Sequence, residues 1–196
     1  MATTTSTVLL SQLKDARNDR AWSDFVQRYW RLLNAFGLKL GLGREDAADA
    51  AQEALVAFVG AYRQGRYERD RGRLRHWLFG IARNKVLHML RSRAAQHVVS
   101  PKGSKSDLLL NIPDDESISE VWELQWRQAV VRACLEQVKS EMSPETIRAF
   151  ELMVSGEVSS EVAAAQLGMT VNAVMKAKRR VLARMREVYR QMETDW

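Results

Sequence analysis

Apolar side chains recur at three- and four-residue steps along most of the chain, which is the repeat of an amphipathic α-helix. In the first half of the sequence this pattern predicts helices over residues 21–42, 45–62 and 74–93. In the second half it predicts helices over residues 119–138, from Pro144 onward, and over residues 159–167 and 170–192. On the first of these, Leu124, Val131 and Cys134 are among the residues expected to face inward. Only three prolines and ten glycines occur among 196 residues, which argues against a sandwich or barrel of short strands. The pattern therefore predicts an all-α protein.

A stretch without helical periodicity separates the two groups of helices. It contains Ser100-Pro101-Lys102-Gly103 and Asn111-Ile112-Pro113-Asp114, which are typical of turns and connections. We therefore expect two small helical domains, at residues 1–95 and 119–196, joined by a linker at residues 96–118.

The end of the chain has the pattern of a helix-turn-helix. A short alanine-rich helix is followed by Gly168, where a turn is expected, and by Thr170, which is a typical N-terminal cap. The helix that follows is basic on one side. These are the elements of the DNA-binding helix-turn-helix motif.

The charged residues are unevenly distributed. The chain carries a net charge of +6 and has a pI near 9.7, which suggests a polyanionic partner. Residues 63–93 contain ten basic and two acidic side chains, and residues 176–190 contain seven basic and one acidic side chain. Residues 107–123 contain six acidic side chains and no basic one. An acidic linker thus separates two basic regions.

Asp46, Asp49, Gln52 and Glu53 lie on one face of the second expected helix, because they are spaced by three and four positions. One interpretation is a solvated helix face. The other is a binding surface, which we call the acidic ridge. Because its negative charge repels DNA, this ridge would contact a basic protein surface.

The loop at residues 63–73, which we call the arginine loop, forms the first candidate nucleic-acid site together with the third helix. Arginines neutralise phosphates, and an aromatic ring can stack on an unpaired base. Tyr67 falls outside every apolar stripe and is the best candidate for a base contact, whereas Trp77 falls in step with Leu74 and is expected in the core. The candidate residues are Arg66, Tyr67, Arg69, Arg71, Arg73, Arg75, Arg83 and Asn84.

The last helix is the second candidate nucleic-acid site. Val174, Val181 and Val188 are expected to face inward, so the polar residues of the first turns face outward. Asparagine can bond adenine and arginine can bond guanine in the major groove. A solvated basic face is the alternative. The candidate residues are Thr170, Asn172, Met175, Lys176, Arg179 and Arg180.

No catalytic or metal-binding arrangement is evident. The single cysteine, Cys134, lies on an apolar stripe and is expected to be buried and inert. His76, His88 and His97 show no metal-ligand spacing, and no nucleophile has a histidine at a suitable distance. We therefore expect a protein that is not an enzyme and has no cofactor or metal. No uncharged stretch is long enough for a membrane helix and the start is unlike a signal peptide, so we expect a cytoplasmic protein without membrane insertion.

Two parts of the sequence resemble the bacterial sigma-70 family, in its extracytoplasmic function (ECF) group. Residues 46–53, DAADAAQE, followed by residues 72–84, GRLRHWLFGIARN, are similar to domain two of that family. Residues 167–174, LGMTVNAV, followed by VLARMRE at residues 181–187, are similar to its helix-turn-helix domain four. The resemblance covers about residues 11–192 and skips the domain three of larger sigma factors.

This resemblance implies a transcription initiation factor that binds bacterial RNA polymerase core and directs it to specific promoters. The helix with Asp46, Asp49, Gln52 and Glu53 would bind the β′ clamp helices, and the β flap would be a further contact. The arginine loop and third helix would recognise and open the minus-ten element of promoter DNA, and the last helix would read the minus-thirty-five element. The acidic linker resembles the segment that runs toward the RNA path. The resemblance leaves open whether an anti-sigma factor or a regulatory kinase controls the protein.

Two other interpretations are open at this stage. A free-standing regulator with a C-terminal helix-turn-helix accounts for the last domain, but gives the acidic ridge and the arginine loop no role. A helical adaptor or RNA-binding protein that does not bind DNA accounts for the basic composition alone.

Overall fold

The computed structural model describes residues 11–15, 17–68, 73–98, 113–156 and 158–195. Within these ranges the chain forms seven α-helices and no strand, so the all-α prediction is confirmed. The residues group into two compact units, 11–128 and 129–195, called the N-terminal and C-terminal units below. The helices are α1 (Asp19–Lys39), α2 (Arg44–Arg63), α3 (Leu74–Val98), α4 (Asp115–Glu141), α5 (Pro144–Val154), α6 (Ser160–Leu167) and α7 (Val171–Asp195).

Side-chain caps fix where several helices begin. The Asn18 side chain accepts a hydrogen bond from the Ala21 N–H, 3.1 Å away, at the start of α1. Ser143 and Ser159 do the same for α5 and α6, and Pro144 occupies the first position of α5. Proline is favoured there because the first N–H groups of a helix have no internal acceptor.

The core of the N-terminal unit is an aromatic cluster between α1, α2 and α3. Phe25, Phe36 and Phe58 are fully buried, and the rings of Phe25 and Phe58 stack with centroids 4.5 Å apart. The backbones of α1 and α2 approach closely at Gly37, where a Cβ atom would lie 3.2 Å from the Cβ of Ala47. This close crossing places the polar side of α2 at the surface.

The first half of α4 completes this aromatic cluster. Trp122 and Trp126 are only 2% and 4% exposed. The Trp122 ring lies 5.3 Å from that of Phe36 and 5.4 Å from that of Phe79, and the Trp126 ring lies 6.0 Å from that of Tyr29. Aromatic side chains bury large apolar areas, so residues 115–128 are part of the N-terminal unit.

The domain boundaries therefore differ from those expected. The segment predicted as a linker, residues 96–118, includes the end of α3 and the first turn of α4, which starts at Asp115. Residues 99–112 lie outside the described residues. The boundary expected at residue 119 falls instead between residues 128 and 129, inside α4.

The apolar stripe expected on α4 is wrong in part. Leu124 and Val131 were expected to face inward but are 48% and 49% exposed. The buried stripe of the first half runs through Ile118, Trp122 and Trp126, which also follow a four-residue spacing. The aromatic stripe buries more area than the aliphatic one, and this decides the rotation of the helix.

The C-terminal unit contains the second half of α4 with α5, α6 and α7. The turn between α6 and α7 lies at Gly168, where a turn was expected: Gly168 adopts φ +63°, the left-handed region that glycine tolerates best. The Thr170 side chain accepts a hydrogen bond from the Ala173 N–H at 3.2 Å and caps α7. Ala149, Ala163 and Val174 are buried together where α5, α6 and α7 meet.

Cys134 is buried in this unit, as expected. It is 1% exposed, and its Sγ lies 3.4 Å from the Sδ of Met192 on α7. Burial raises the pKa of the Cys134 thiol, because the apolar surroundings disfavour the thiolate. Among the described helices of both units, none is long and apolar enough to cross a membrane.

The packing of α4 yields a stability prediction. Trp122→Ala should lower the free energy of unfolding of the full chain by about 3–5 kcal/mol, because it leaves a large cavity in the aromatic cluster. Leu124→Ala, on the exposed side of the same helix, should change it by less than about 0.5 kcal/mol. Urea unfolding followed by far-UV circular dichroism measures both. Equal, small effects would mean that residues 115–128 do not belong to this core.

Candidate functional site

The four residues of the acidic ridge share one surface of α2, which we call the acidic face (Asp46, Asp49, Gln52 and Glu53). The alanines Ala47, Ala50, Ala51 and Ala54 occupy the opposite, buried side. Asp49, Gln52 and Glu53 are exposed, whereas Asp46 is half-buried.

Two basic residues of α3 partly neutralise the acidic face. Arg93 forms an ion pair with Asp46, and the Nζ of Lys85 lies 2.9 Å from an Oε of Glu53. Asp49 makes no ion pair with any described residue. It is therefore the carboxylate of the face that is most available to an external cation.

Val56 extends the acidic face and was missed by the sequence analysis. It is 66% exposed, the most exposed large apolar side chain of the described residues. It lies seven positions after Asp49 and four after Gln52, so it shares their side of α2, and this spacing alone could have identified it. A shallow groove of about 570 Å³ is lined by Asp49, Gln52, Glu53, Val56, Ala57 and Lys85.

The arginine loop precedes α3. Arg66 and Arg73 are exposed at its two ends. Arg69 and Arg71, which were also candidates, lie outside the described residues.

Tyr67 stacks on two aromatic side chains. Its ring lies 5.1 Å from that of Trp77, with 26° between the planes, and 6.0 Å from that of Tyr62, with 25° between them. Tyr67 and Trp77 are both half-buried, so the expectation of a core position for Trp77 is met only in part. Burial of Tyr62, together with Tyr67, raises the pKa of the Tyr62 hydroxyl. The loop tyrosine is thus held in place by a stack of rings.

Arg75 and Arg83 are engaged by α4. They lie four positions to either side of Phe79, and the three face the first half of α4. Arg83 forms an ion pair with Asp115, and Arg75 forms one with Glu123 and lies 5.7 Å from the centroid of the Trp126 ring. Ion pairs exposed to this degree typically stabilise a fold by only about 0.2–1 kcal/mol each.

The open side of α3 carries Asn84, as expected, and also His76, which the sequence analysis considered only as a metal ligand. Both are exposed. They are separated by eight positions and therefore share one side of the helix. No group of histidine, cysteine and carboxylate residues in the described ranges could hold a metal ion.

The outward side of α7 is basic. Asn172, Arg179 and Arg180 are exposed, and so is Lys176, whereas Val174, Ala177 and Val181 are buried on the other side. Two candidates have additional roles: Thr170 caps the helix through its side chain, and Met175 is half-buried. Val171, which the sequence analysis did not name, is 40% exposed beside Asn172.

Arg184 of α7 forms a second set of ion pairs, with Glu141 at the end of α4 and with Glu187 on α7 itself. The Nε of Arg184 lies 2.6 Å from an Oε of Glu141, and its Nη1 lies 2.9 Å from an Oε of Glu187. The hydrogen bond from Arg184 lowers the pKa of Glu141, and the two carboxylates raise the pKa of Arg184. Arg184 therefore belongs to the framework of the C-terminal unit rather than to its exposed basic side.

Comparison with known proteins identifies a family match in the first half of the chain. Residues 25–96 match the family model of sigma-70 region 2. The matched segment contains the acidic face, the arginine loop and nearly all of α3. The chain therefore carries a sigma-70 region 2, which confirms the sigma-70 resemblance for this part of the sequence and supports a role as a sigma factor.

A search of solved structures aligns the chain with CnrH, from the structure of CnrH in complex with the cytosolic domain of CnrY. The two share 21% sequence identity, with 94% of this chain and 96% of CnrH covered, at a TM-score of 0.39. No curated protein matches the sequence.

Proposed function

We propose that this protein is a sigma factor of the ECF group, which binds bacterial RNA polymerase core and directs it to promoters. The observation that carries the proposal is the sigma-70 region 2 match at residues 25–96, which covers both the acidic face and the arginine loop. The ECF assignment is supported by the arrangement of the described residues: they form two units, and α4 runs from the N-terminal unit into the C-terminal unit without a further domain between its two halves.

The acidic face is the proposed contact with the polymerase, on the β′ clamp helices. An exposed carboxylate at Asp49 and an amide at Gln52 can meet a basic or polar helix, and Val56 adds an apolar anchor beside them. Interfaces commonly combine a buried apolar contact with a polar rim, and charge complementarity speeds association. The β flap is a further proposed contact of the factor.

The arginine loop and α3 are the proposed minus-ten site. Arg66, Arg73 and Asn84 are exposed and can meet phosphates or base edges. Tyr67 is half-exposed, and its stacking on Tyr62 and Trp77 fixes the ring before DNA arrives. A ring that is already ordered loses less entropy when a base stacks on it.

The outward side of α7 is the proposed minus-thirty-five site. The N-terminal turns of a recognition helix enter the major groove, and Asn172 and Lys176 lie in those turns. Arg179 and Arg180 follow one turn later, where they can meet phosphates or guanines. A free-standing helix-turn-helix regulator would use this surface alone, and the region 2 match favours the sigma factor instead.

The proposed polymerase contact predicts the effect of charge reversal. Asp49→Lys together with Glu53→Lys should weaken association with core polymerase by about tenfold or more, equivalent to about 1.4 kcal/mol, because it places positive charge against a basic partner. Glu116→Lys with Glu120→Lys reverses the same number of exposed charges on α4 and should leave association nearly unchanged. Fluorescence anisotropy with labelled factor measures the dissociation constant of each double variant for core polymerase. Equal weakening by the two pairs would indicate a general charge effect and contradict the assignment.

The proposed minus-thirty-five site is tested by substitutions on α7. Lys176→Ala with Arg179→Ala should cost about 1–3 kcal/mol of discrimination at any base pair read by a bidentate contact, or reduce the salt slope by about 1 for each phosphate that is no longer neutralised. Lys178→Ala, compared with Lys176→Ala alone, is the control for the loss of one charge, since Lys178 is half-buried on the other side of the helix. Holoenzyme binding to a library of promoter fragments at several salt concentrations measures these effects. Wild-type affinity and slope in the double variant would refute the contact.

The proposed strand-opening role is tested on Tyr67. Removing a base from the stack costs a few kcal/mol, and a stacked aromatic ring returns about 1–3 kcal/mol. Tyr67→Ala should therefore reduce open complex on duplex promoters, and a premelted template should restore much of the transcription. Tyr67→Phe keeps the ring and should behave nearly as wild type. Permanganate reactivity of minus-ten thymines measures opening, and equal reactivity in wild type and Tyr67→Ala would leave Tyr67 as a packing residue of the loop.

A further inference from the structure

The first turns of α4 carry carboxylates that hold two arginines of the proposed minus-ten site. Asp115 pairs with Arg83, and Glu123 pairs with Arg75. The side chains of Arg83 and Arg75 are only 30% and 25% exposed. Arg66 and Arg73, in contrast, are open to solvent. Part of the positive charge of this site is thus neutralised within the chain.

A carboxylate and a phosphate compete for the same guanidinium group. Both accept charge-assisted hydrogen bonds from the fork of arginine N–H donors. An arginine that is paired with Asp115 or Glu123 cannot at the same time release a counterion from a DNA phosphate. Each of these pairs therefore reduces the number of phosphates that the free protein can neutralise.

The helix α4 is held firmly in the unit, whereas its ion pairs with α3 lie at the surface and break easily. Trp122 and Trp126 are buried in the aromatic core and hold α4 in place. Asp115 is 78% exposed and Glu123 is 42% exposed, so their contacts lie at the surface and are weak. A rotation of these side chains releases both arginines while the helix stays docked. Exchange with DNA consequently requires no unfolding of the unit.

We propose that Asp115 and Glu123 are built-in competitors of DNA phosphates for Arg83 and Arg75, and that they lower the affinity of the free protein for DNA. This inference rests on the proposed DNA-binding role of α3. The competition acts through charge and is independent of base sequence, because it concerns arginines that meet the phosphate backbone. It suppresses binding to random DNA while leaving base-specific contacts elsewhere unaffected.

The test uses the full-length protein and a labelled single-stranded DNA oligonucleotide of mixed sequence. Asp115→Asn with Glu123→Gln removes the two charges and keeps the side-chain shapes. This variant should bind the oligonucleotide at least about threefold more tightly at low salt. Its plot of log affinity against log salt should be steeper by about 1.4, since each phosphate of a single strand that is newly neutralised adds about 0.7.

The matched control is Glu116→Gln with Glu120→Gln. It changes the net charge of the same helix by the same amount, and neither residue forms an ion pair with a described residue of the chain. Its salt slope should equal that of wild type. A control variant with the same gain in affinity and slope as Asp115→Asn with Glu123→Gln would overturn the proposal, because a general charge effect would then account for both.

A second comparison locates the effect at the two arginines. In a chain with Arg75→Gln and Arg83→Gln, removing the charges of Asp115 and Glu123 should no longer steepen the salt slope. Circular dichroism before each titration checks that every variant is folded. If the chain with Asp115→Asn and Glu123→Gln binds DNA with the affinity and salt slope of the wild type, the competition is overturned. The proposed function then remains intact. Absence of DNA binding by every chain, also in the presence of core polymerase, overturns the proposed DNA-binding site and the competition together.

Discussion

The burial of Trp122 and Trp126 anchors the first half of α4 to the N-terminal unit. The two rings close the aromatic cluster of the N-terminal unit against Phe36 and Tyr29, and they attach the first half of α4 to it. This attachment sets the register of α4 against α3. Because of that register, the carboxylates of α4 reach Arg75 and Arg83. A hydrophobic contact thus decides which charges of the protein face each other and which face solvent.

The number of charges in the sequence overstates the positive charge that α3 offers to a partner. The helix lies between two elements that bring carboxylates to it: α2 supplies Asp46 and Glu53, and α4 supplies Asp115 and Glu123. A run of basic residues that looks uniform in sequence is therefore divided by the fold. One part forms internal ion pairs, and the remainder is exposed on the loop and the open side of the helix. The positive charge that α3 presents to a partner is therefore set by the residues outside these ion pairs.

Local spacing was sufficient to predict the helices and the grouping of Asp46, Asp49, Gln52 and Glu53, because both follow from the geometry of a single α-helix. The turn between α6 and α7 and the cap of α7 were also predictable, since Gly168 and Thr170 act through their own backbone and side chain. The partners of Arg83 and Lys85 were not predictable in this way, because each lies 32 positions away in the chain. The rotation of α4 was missed for a related reason: an aliphatic and an aromatic stripe both fit the helical period, and only tertiary packing selects between them.

The burial of Cys134 has a practical consequence for measuring motion within the C-terminal unit. The thiol is 1% exposed and lies against Met192, so an alkylating reagent reaches it when the second half of α4 separates from α7. When such openings are brief, the alkylation rate is the intrinsic rate multiplied by the opening equilibrium constant. Since the chain has a single cysteine, the natural protein reports this constant at one known position without any introduced label. Polymerase or DNA that stabilises the helix-turn-helix unit would slow the alkylation by the corresponding factor.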